Sequence, residues 1–266
     1  MNILNIVYAG GILGVLGIVF GAALVFAEKK FHVETDPRVE AVRACLAGAN
    51  CGACGFPGCD GYAMAVVEGT APMNACAPGG PKAAAAIAAI MGAEAPAVEA
   101  GPAKKAYVLC QGMEGCAKVK EEIVAYGSCK EAAEAGGNKL CRFACLGHGD
   151  CVNACKFGAL SIENGIAKVD MEKCVGCGAC ARTCPRSVIK IMTDDVKVVV
   201  RCRNTDPGKD VRAVCSKGCL ACGMCVRACE QGAIAIVDGY AQIDYEKCIG
   251  CGKCATACKF GVITME

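Results

Sequence analysis

The sequence predicts an α+β protein with a single N-terminal transmembrane helix, a small cysteine-rich module and two tandem copies of a two-site cysteine domain. Three observations support this fold class. Residues 3–27 form a long uncharged run, 26 cysteines follow it in closely spaced groups, and the second half of the chain contains an internal duplication. Short strands and helices are expected between the cysteine groups.

The amino-acid composition indicates a protein stabilised by bound metal more than by a large apolar core. The 266 residues include 26 cysteines, two histidines and no tryptophan. Disulfide-rich scaffolds are short secreted domains, whereas these cysteines stand at metal-ligand spacings. The net charge of +2 gives no support for a nucleic-acid partner.

The stretch that begins at Cys174 carries the most specific motif in the chain. It reads Cys174-Val-Gly-Cys177-Gly-Ala-Cys180-Ala-Arg-Thr-Cys184-Pro185. Three thiolates with this spacing, followed by a fourth and a proline, hold [4Fe–4S] clusters, and the fourth binds the neighbouring cluster of a pair. Zinc is the alternative, but a tetrahedral zinc site needs two Cys-x-x-Cys pairs and no third, equally spaced cysteine. We therefore interpret the motif as half of a two-cluster ferredoxin.

The duplication copies this motif without a gap. Cys174 aligns with Cys248 and Cys145 aligns with Cys219, with a strand–turn–strand segment between the two cysteine groups of each copy. The alignment predicts two two-cluster (8Fe) ferredoxin-like domains, at residues 105–195 and 196–266. The predicted cluster ligands in them are Cys141, Cys145, Cys151, Cys155, Cys174, Cys177, Cys180, Cys184, Cys219, Cys222, Cys225, Cys229, Cys248, Cys251, Cys254 and Cys258.

One position in the first repeat breaks the pattern. His148 stands where the second repeat has Cys222, so the loop after Cys145 lacks a ligand. Either His148 or Cys141 could replace it, and we favour Cys141 because thiolate is the usual ligand of a [4Fe–4S] iron. Cys215 weakens this choice, since it occupies the place of Cys141 in the second repeat, where no ligand is missing.

The remaining cysteines have two interpretations. Cys45 is expected to pack in a core, as isolated cysteines usually do. The others are either buried thiols or the ligands of a further cluster that draws on both repeats, and the sequence does not decide between these interpretations. They are Cys110, Cys116, Cys129, Cys202 and Cys215.

A separate module is predicted at residues 34–92. Its motif consists of Cys51, Cys54 and Cys59, followed further along the chain by Cys76. Four thiolates in this layout suit another [4Fe–4S] cluster, which brings the expected number to about five, with four thiolates for each. Zinc remains the alternative here on ligand type alone. Residues 93–104, rich in Ala, Pro, Glu and Gly, predict a semi-rigid linker.

The apolar run predicts an uncleaved membrane anchor at residues 1–28. It is long enough to span a bilayer and lacks the basic segment that begins a signal peptide. Lys29 and Lys30 follow the run and no Lys or Arg precedes it, so the N-terminus is expected outside and the cluster domains on the cytoplasmic side of the inner membrane. A stripe of glycines is expected to pack on a membrane helix of a partner subunit. The stripe consists of Gly10, Gly14, Gly17 and Gly21.

This order of features resembles the RnfB family. An apolar N-terminal run precedes Cys51-Gly-Ala-Cys54-Gly-Phe-Pro-Gly-Cys59, then Cys76, then ferredoxin motifs. The same order is found in the B subunit of the membrane Rnf complex, an ion-translocating ferredoxin:NAD oxidoreductase, and two ferredoxin pairs correspond to its long form. The resemblance implies a subunit that accepts electrons from reduced ferredoxin and relays them to other Rnf subunits. Electron passage to NAD through those subunits drives Na⁺ or H⁺ translocation.

Two other functions remain open at this point. One is an electron-transfer subunit of another membrane oxidoreductase, of hydrogenase or formate type, although such polyferredoxins do not usually carry the Cys51–Cys76 module behind one anchor. The other is a structural zinc or thiol-switch protein. The sequence contains no GxGxxG segment, Walker loop or Ser/His/Asp arrangement, so no stand-alone catalytic site is predicted.

Overall fold

The computed structural model describes residues 3–30, 36–94 and 103–266. Helix α1 spans Ile3–Lys30. Its side chains are described only at positions 11, 13–22 and 24–26, and there Leu13, Ile18 and Phe20 are largely exposed. No helix long and apolar enough to cross a membrane was found among the residues described. The side chains of Gly10, Lys29 and Lys30, and most of the predicted linker, lie outside the described residues.

The cysteine-rich module folds as three helices, α2 (Pro37–Cys45), α3 (Gly58–Val67) and α4 (Gly80–Met91). The N-cap of α2 is Asp36, whose carboxylate accepts a hydrogen bond of 2.9 Å from the Arg38 backbone N–H. The helices enclose a small core that includes Val42 and Ile87. Tyr62 is buried there, and its hydroxyl donates to the Pro72 carbonyl oxygen at 2.7 Å. This core holds the loops on either side of α3 that carry the module's cysteines.

The first repeat has four strands and three short helices. The strands are β1 (Lys104–Val108), β2 (Leu160–Glu163), β3 (Ile166–Val169) and β4 (Ile189–Thr193), and the helices are α5 (Cys129–Glu134), α6 (Asp150–Asn153) and α7 (Ala179–Thr183). β1 pairs with β4 and β2 pairs with β3, both antiparallel. Asn164 and Gly165 connect β2 to β3 with φ values of 48° and 72°, as a two-residue hairpin of type I′ requires.

The second repeat has the same plan. Its strands are β5 (Val198–Val200), β6 (Ile234–Val237), β7 (Tyr240–Ile243) and β8 (Ile263–Met265), and its helices are α8 (Gly208–Val214), α9 (Met224–Ala228) and α10 (Lys253–Ala257). β5 pairs with β8 and β6 with β7. Each sheet in the described part of the chain has only two strands, too few for independent stability. The apolar cores of both repeats are accordingly built around cysteines.

The two repeats pack against each other along β1 and β5. Tyr107, Met192 and Val199 form a buried cluster at this junction. The Arg201 guanidinium donates to the Val108 carbonyl oxygen at 2.9 Å. The segment after β1 also reaches the second repeat, since the Lys118 backbone N–H donates to the Val214 carbonyl oxygen at 2.8 Å.

Candidate metal centres

Four cysteines from two loops line one cavity in the first repeat, which we call the Cys174 site. Two of their sulfurs accept backbone hydrogen bonds of 3.4 Å, one from Ala106 to Cys174 and one from Ala159 to Cys155. The loop turns at Gly176, whose φ of 66° is costly for any residue with a side chain. The four cysteines are Cys155, Cys174, Cys177 and Cys180.

A second cavity in this repeat, the Cys145 site, has a lining that differs from the expected ligand set. It is lined by Cys129, Cys145, Cys151 and Cys184. The favoured replacement ligand, Cys141, does not line it. Neither does His148, whose ring meets the Tyr126 ring edge-on at a centroid distance of 5.7 Å.

Helix α5 places Cys129 in the Cys145 site. Asp150, at the start of α6, accepts hydrogen bonds from the backbone N–H groups of Cys129 at 2.9 Å and Lys130 at 3.1 Å. Burial, together with the neighbouring thiols of Cys145 and Cys129, raises the pKa of the Cys151 thiol to about 12. The sequence alone left Cys129 unplaced because it stands far from Cys151 in the chain and outside the regularly spaced motifs.

The second repeat contains one similar cavity, the Cys225 site, and a second predicted site, the Cys254 site. The Cys225 site is a cavity whose sulfurs on Cys219 and Cys258 accept backbone hydrogen bonds from Ala241 and Val262, each 3.4 Å long. In the Cys254 site, burial raises the pKa of the Cys254 thiol and the nearby Cys248 acts in the same direction. The Cys225 site is lined by Cys219, Cys222, Cys225 and Cys258. The predicted ligands of the Cys254 site are Cys229, Cys248, Cys251 and Cys254.

One cysteine of each site in the second repeat is open to solvent. Cys222 and Cys251 are exposed, whereas Cys225 and Cys254 are buried. In the first repeat, Cys177 and Cys184 are half-buried and the other positions of the two sites are half-buried or buried. Solvent therefore reaches the cysteine sulfurs of the second repeat more easily than those of the first.

The module carries its cysteines on a loop with several positive φ values. Asn50 adopts a φ of 47°, and its side-chain oxygen accepts a 2.8 Å hydrogen bond from the Cys59 backbone N–H. Cys54, Cys59 and Cys76 pack against the module core, as does the additional Cys45. The fourth predicted ligand, Cys51, lies at the edge nearest the first repeat, where its carbonyl oxygen accepts a 2.6 Å hydrogen bond from Arg182.

The chemistry of these sites fits [4Fe–4S] clusters. Burial raises the pKa of Cys180 and of Cys225 to about 11, so an empty site would hold neutral thiols. A bound metal favours the thiolate form, and the backbone N–H groups that point at sulfur stabilise that charge. In the described residues no three His, Cys, Asp or Glu side chains are gathered as ligands of one metal ion. Cluster thiolates each bind a separate iron.

These loops and cavities define a multi-site iron–sulfur protein of the ferredoxin type. Comparison with family profiles agrees with this class. Residues 46–78 match an Fe–S cluster family, residues 167–190 a 4Fe-4S binding domain and residues 218–262 a 4Fe-4S dicluster domain. The chain therefore carries several [4Fe–4S] clusters.

Similar proteins identify the particular family. The chain is 48% identical to the B subunit of the Na⁺-translocating ferredoxin:NAD⁺ oxidoreductase complex of Acetobacterium woodii, over 89% of this chain and 71% of that protein. It is 41% identical to the B subunit of the ion-translocating oxidoreductase complex of Methanosarcina acetivorans, over 89% of each chain. It is 36% identical to the proton-translocating counterpart of Clostridium ljungdahlii, over 78% of this chain and 73% of that protein. The chain belongs to this family of B subunits, which confirms the resemblance to RnfB.

Proposed function

We propose that this chain is the membrane-anchored electron-transfer subunit of an ion-translocating ferredoxin:NAD⁺ oxidoreductase complex. It accepts electrons from reduced ferredoxin and passes them to other subunits, where their transfer is coupled to Na⁺ or H⁺ translocation. The observation that carries this proposal is the placement of the module's cysteine site and the two sites of the first repeat next to one another in series. Bound [4Fe–4S] clusters supply one-electron transfer at such sites.

The protein's own residues hold neighbouring sites close together. Helix α6 and the residue after its C-cap carry Cys151 of the Cys145 site and Cys155 of the Cys174 site. At the other end, the Cys51 thiol lies close enough to Cys177 to contribute, after burial, to the raised pKa of Cys177. These contacts support a continuous path from the first repeat to the module.

We propose the following ligand sets for the five sites. In the Cys145 site, Cys129 takes the place that the sequence suggested for Cys141. The other sites keep the ligands predicted from their motifs. The sets are Cys51, Cys54, Cys59 and Cys76; Cys129, Cys145, Cys151 and Cys184; Cys155, Cys174, Cys177 and Cys180; Cys219, Cys222, Cys225 and Cys258; and Cys229, Cys248, Cys251 and Cys254.

The exposed cysteines favour the second repeat as the docking surface for ferredoxin. Cys222 and Cys251 reach solvent, so a soluble donor can approach the two outer sites closely. The module lies next to α1 in the chain and is proposed to face the membrane subunits. Electrons would then enter at the second repeat and leave at the module.

Helix α1 is proposed to be the single-pass anchor, with the N-terminus outside and the cluster domains in the cytoplasm. Its described apolar side chains are exposed, and a Cβ atom added at Gly14, Gly17 or Gly21 would meet no atom within 4 Å. The glycine stripe is thus free to receive a close-packed helix of another subunit. A reporter fused after Glu266 should be active only on the cytoplasmic side, and activity restricted to the outside would overturn this orientation.

The proposed function is tested on the complex purified anaerobically through a tag on the full chain. Reduced ferredoxin should bleach the iron–sulfur absorption of the complex within the time of one turnover and should support NADH formation. A Cys251→Ala variant should slow the bleaching, while Cys45→Ala, outside the proposed sites, should not. Stoichiometric zinc in place of iron would overturn the proposal and indicate a structural zinc protein. Co-purified hydrogenase or formate dehydrogenase subunits would favour the rival oxidoreductases.

A further inference from the structure

We propose that Cys110, Cys141, Cys202 and Cys215 form an additional [4Fe–4S] site that joins the two repeats, here called the junction site. Each repeat contributes two of its four cysteines. The role of the junction site in electron transfer rests on the proposed function.

The four cysteines line one cavity at the contact between the repeats. Most of the wall comes from residues 109–112 and 141–144 of the first repeat and from residues 201–204 and 215–218 of the second. The Cys110 thiol raises the pKa of both Cys141 and Cys215, in addition to the larger effect of burial, so the three sulfurs lie near one another. Burial raises the pKa of Cys202 to about 12, with Cys110 again a neighbour.

The arrangement follows the internal symmetry of the chain. Cys141 and Cys215 are equivalent in the alignment of the two repeats. Cys110 and Cys202 are equivalent in the fold, because each follows the strand that pairs with the last strand of its repeat. The span from Cys110 to Cys141 is longer than the span from Cys202 to Cys215, since the first repeat contains the inserted segment that carries Cys129. The two cysteines of the first repeat therefore share one cavity with their two equivalents from the second repeat.

Two of the four sulfurs, those of Cys110 and Cys141, accept hydrogen bonds from N–H groups. Cys110 Sγ accepts from the backbone N–H of Gly112 at 3.3 Å. Backbone N–H groups of Phe143 and Ala144 lower the pKa of Cys141 against the effect of burial, and that of Lys217 does so for Cys215. Those of Cys219 and Asn204 act in the same way on Cys202. Hydrogen bonds of this kind favour the thiolate form, which is the form that binds iron.

Asn204 gives the strongest sign that a charged group belongs here. Among the described residues it is the only polar side chain that is fully buried, at 1% exposure. Burying an amide is unfavourable unless its hydrogen bonds are satisfied. Its oxygen accepts from the Asp206 backbone N–H at 2.7 Å, and its nitrogen donates to Cys141 Sγ at 3.4 Å. An amide held against sulfur in this way suits a thiolate ligand whose redox potential it helps to set.

The junction site lies between one site of each repeat. The backbone N–H of Cys145, a proposed ligand in the first repeat, donates to Cys110 Sγ at 3.4 Å. The backbone N–H of the equivalent Cys219 in the second repeat lowers the pKa of Cys202 against the effect of burial. The junction site would therefore connect the Cys145 site to the Cys225 site and make the two repeats one electron path.

The test counts clusters in the full chain purified anaerobically within its complex. Six four-iron sites give about 24 iron atoms per chain, against about 20 for five sites. Native mass spectrometry of the wild-type chain should show six [4Fe–4S] units. Cys110→Ala and Cys202→Ala, one from each repeat, should each lower the iron by one to four atoms per chain and change the EPR signal of one cluster. The matched control is Cys116→Ala, which removes a nearby cysteine that does not line the cavity.

A second variant guards against misfolding of the alanine variants. Asn204→Asp keeps the oxygen that accepts from Asp206 and removes the N–H that donates to Cys141. It should lower the midpoint potential of one EPR signal and leave the others unchanged.

The outcomes separate this inference from the proposed function. Five clusters in the wild type, with full iron retained in Cys110→Ala and Cys202→Ala, would overturn the junction site while leaving the relay intact. Six clusters with no reduction by ferredoxin would support the junction site and reject the proposed donor. Zinc instead of iron throughout would reject both.

Discussion

At the scale of single residues, Asp150 shows how one carboxylate can recruit a distant cysteine. It caps α5 by accepting two backbone hydrogen bonds, and this contact brings Cys129 against Cys151. The sequence contained the sign of a missing ligand, namely His148 in the place of Cys222. It could not show the replacement, because the path of the inserted segment depends on tertiary contacts with Asp150 and with the second repeat.

Cys129→Ala is expected to remove the cluster of the Cys145 site. Three remaining thiolates leave one iron without a protein ligand, so iron should fall by one to four atoms per chain, and a three-iron EPR signal should accompany the smaller loss. His148→Ala, which removes only the edge-on contact with Tyr126, should keep all of the iron. Full iron in Cys129→Ala together with loss in His148→Ala would reverse the assignment.

At the scale of the elements, the duplicated loops provide matched pairs of glycines. Gly176 and Gly250 are equivalent and have φ values of 66° and 70°. A Cβ atom at Gly176 would lie 2.2 Å from the Lys104 backbone oxygen in β1. At Gly250 it would instead lie 2.9 Å from the flexible Lys197 side chain. The first loop is therefore packed against backbone and the second against a side chain that can move.

Gly176→Ala should destabilise the protein more than Gly250→Ala. Both variants incur the penalty of a left-handed conformation, about 1 kcal/mol. Gly176→Ala must also displace β1, which adds about 1–3 kcal/mol of overpacking strain. Thermal unfolding of the cluster-loaded chain under argon measures the difference. Equal shifts of the unfolding temperature would show that β1 yields as readily as the Lys197 side chain.

The strands were largely predictable at this scale because they flank cysteine motifs. The Asn164-Gly165 turn between two apolar segments predicted the β2–β3 hairpin, and the structure contains it. The pairing of β1 with β4 was not predictable, since the register Lys104↔Thr193 joins residues far apart in the chain and depends on closure around the cysteines.

The glycine stripe of α1 gives a prediction about assembly. Gly14→Ile with Gly17→Ile should release the subunit from its complex, because isoleucine prevents close approach of a second helix. Iron content should stay at the wild-type value, since the change is remote from every cysteine. Ala22→Ile, a similar increase in size outside the stripe, serves as the control. Unchanged co-purification of the double variant would mean that another surface holds the subunit.

At the scale of the whole molecule, one arginine links the module to the repeats. Arg182 donates to the Cys51 carbonyl oxygen and lies over Gly178 of its own loop. Arg227 lies over Gly223 in the same manner in the second repeat. Among the described residues, no hydrogen bond joins Arg227 to the module. Nothing in the sequence distinguished these two arginines, because the difference arises only when the module docks.

Arg182→Ala should weaken that docking, whereas Arg227→Ala should not. The measurement is pulsed EPR of the reduced chain, in which the magnetic coupling between the module cluster and its neighbour reports their separation. Weaker coupling and slower electron delivery to the module are expected for Arg182→Ala alone. Identical spectra for the two variants would show that other contacts position the module.

The exposure of Cys222 and Cys251 also determines where dioxygen would attack. Oxidants reach a sulfur in proportion to its accessibility, and these two cysteines are exposed, whereas the cysteines of the two sites in the first repeat are half-buried or buried. On contact with air, we expect decay to begin in the second repeat and to spare the module for longer. A partly aerated subunit would thus lose first the clusters of the repeat that we propose as the docking surface for ferredoxin.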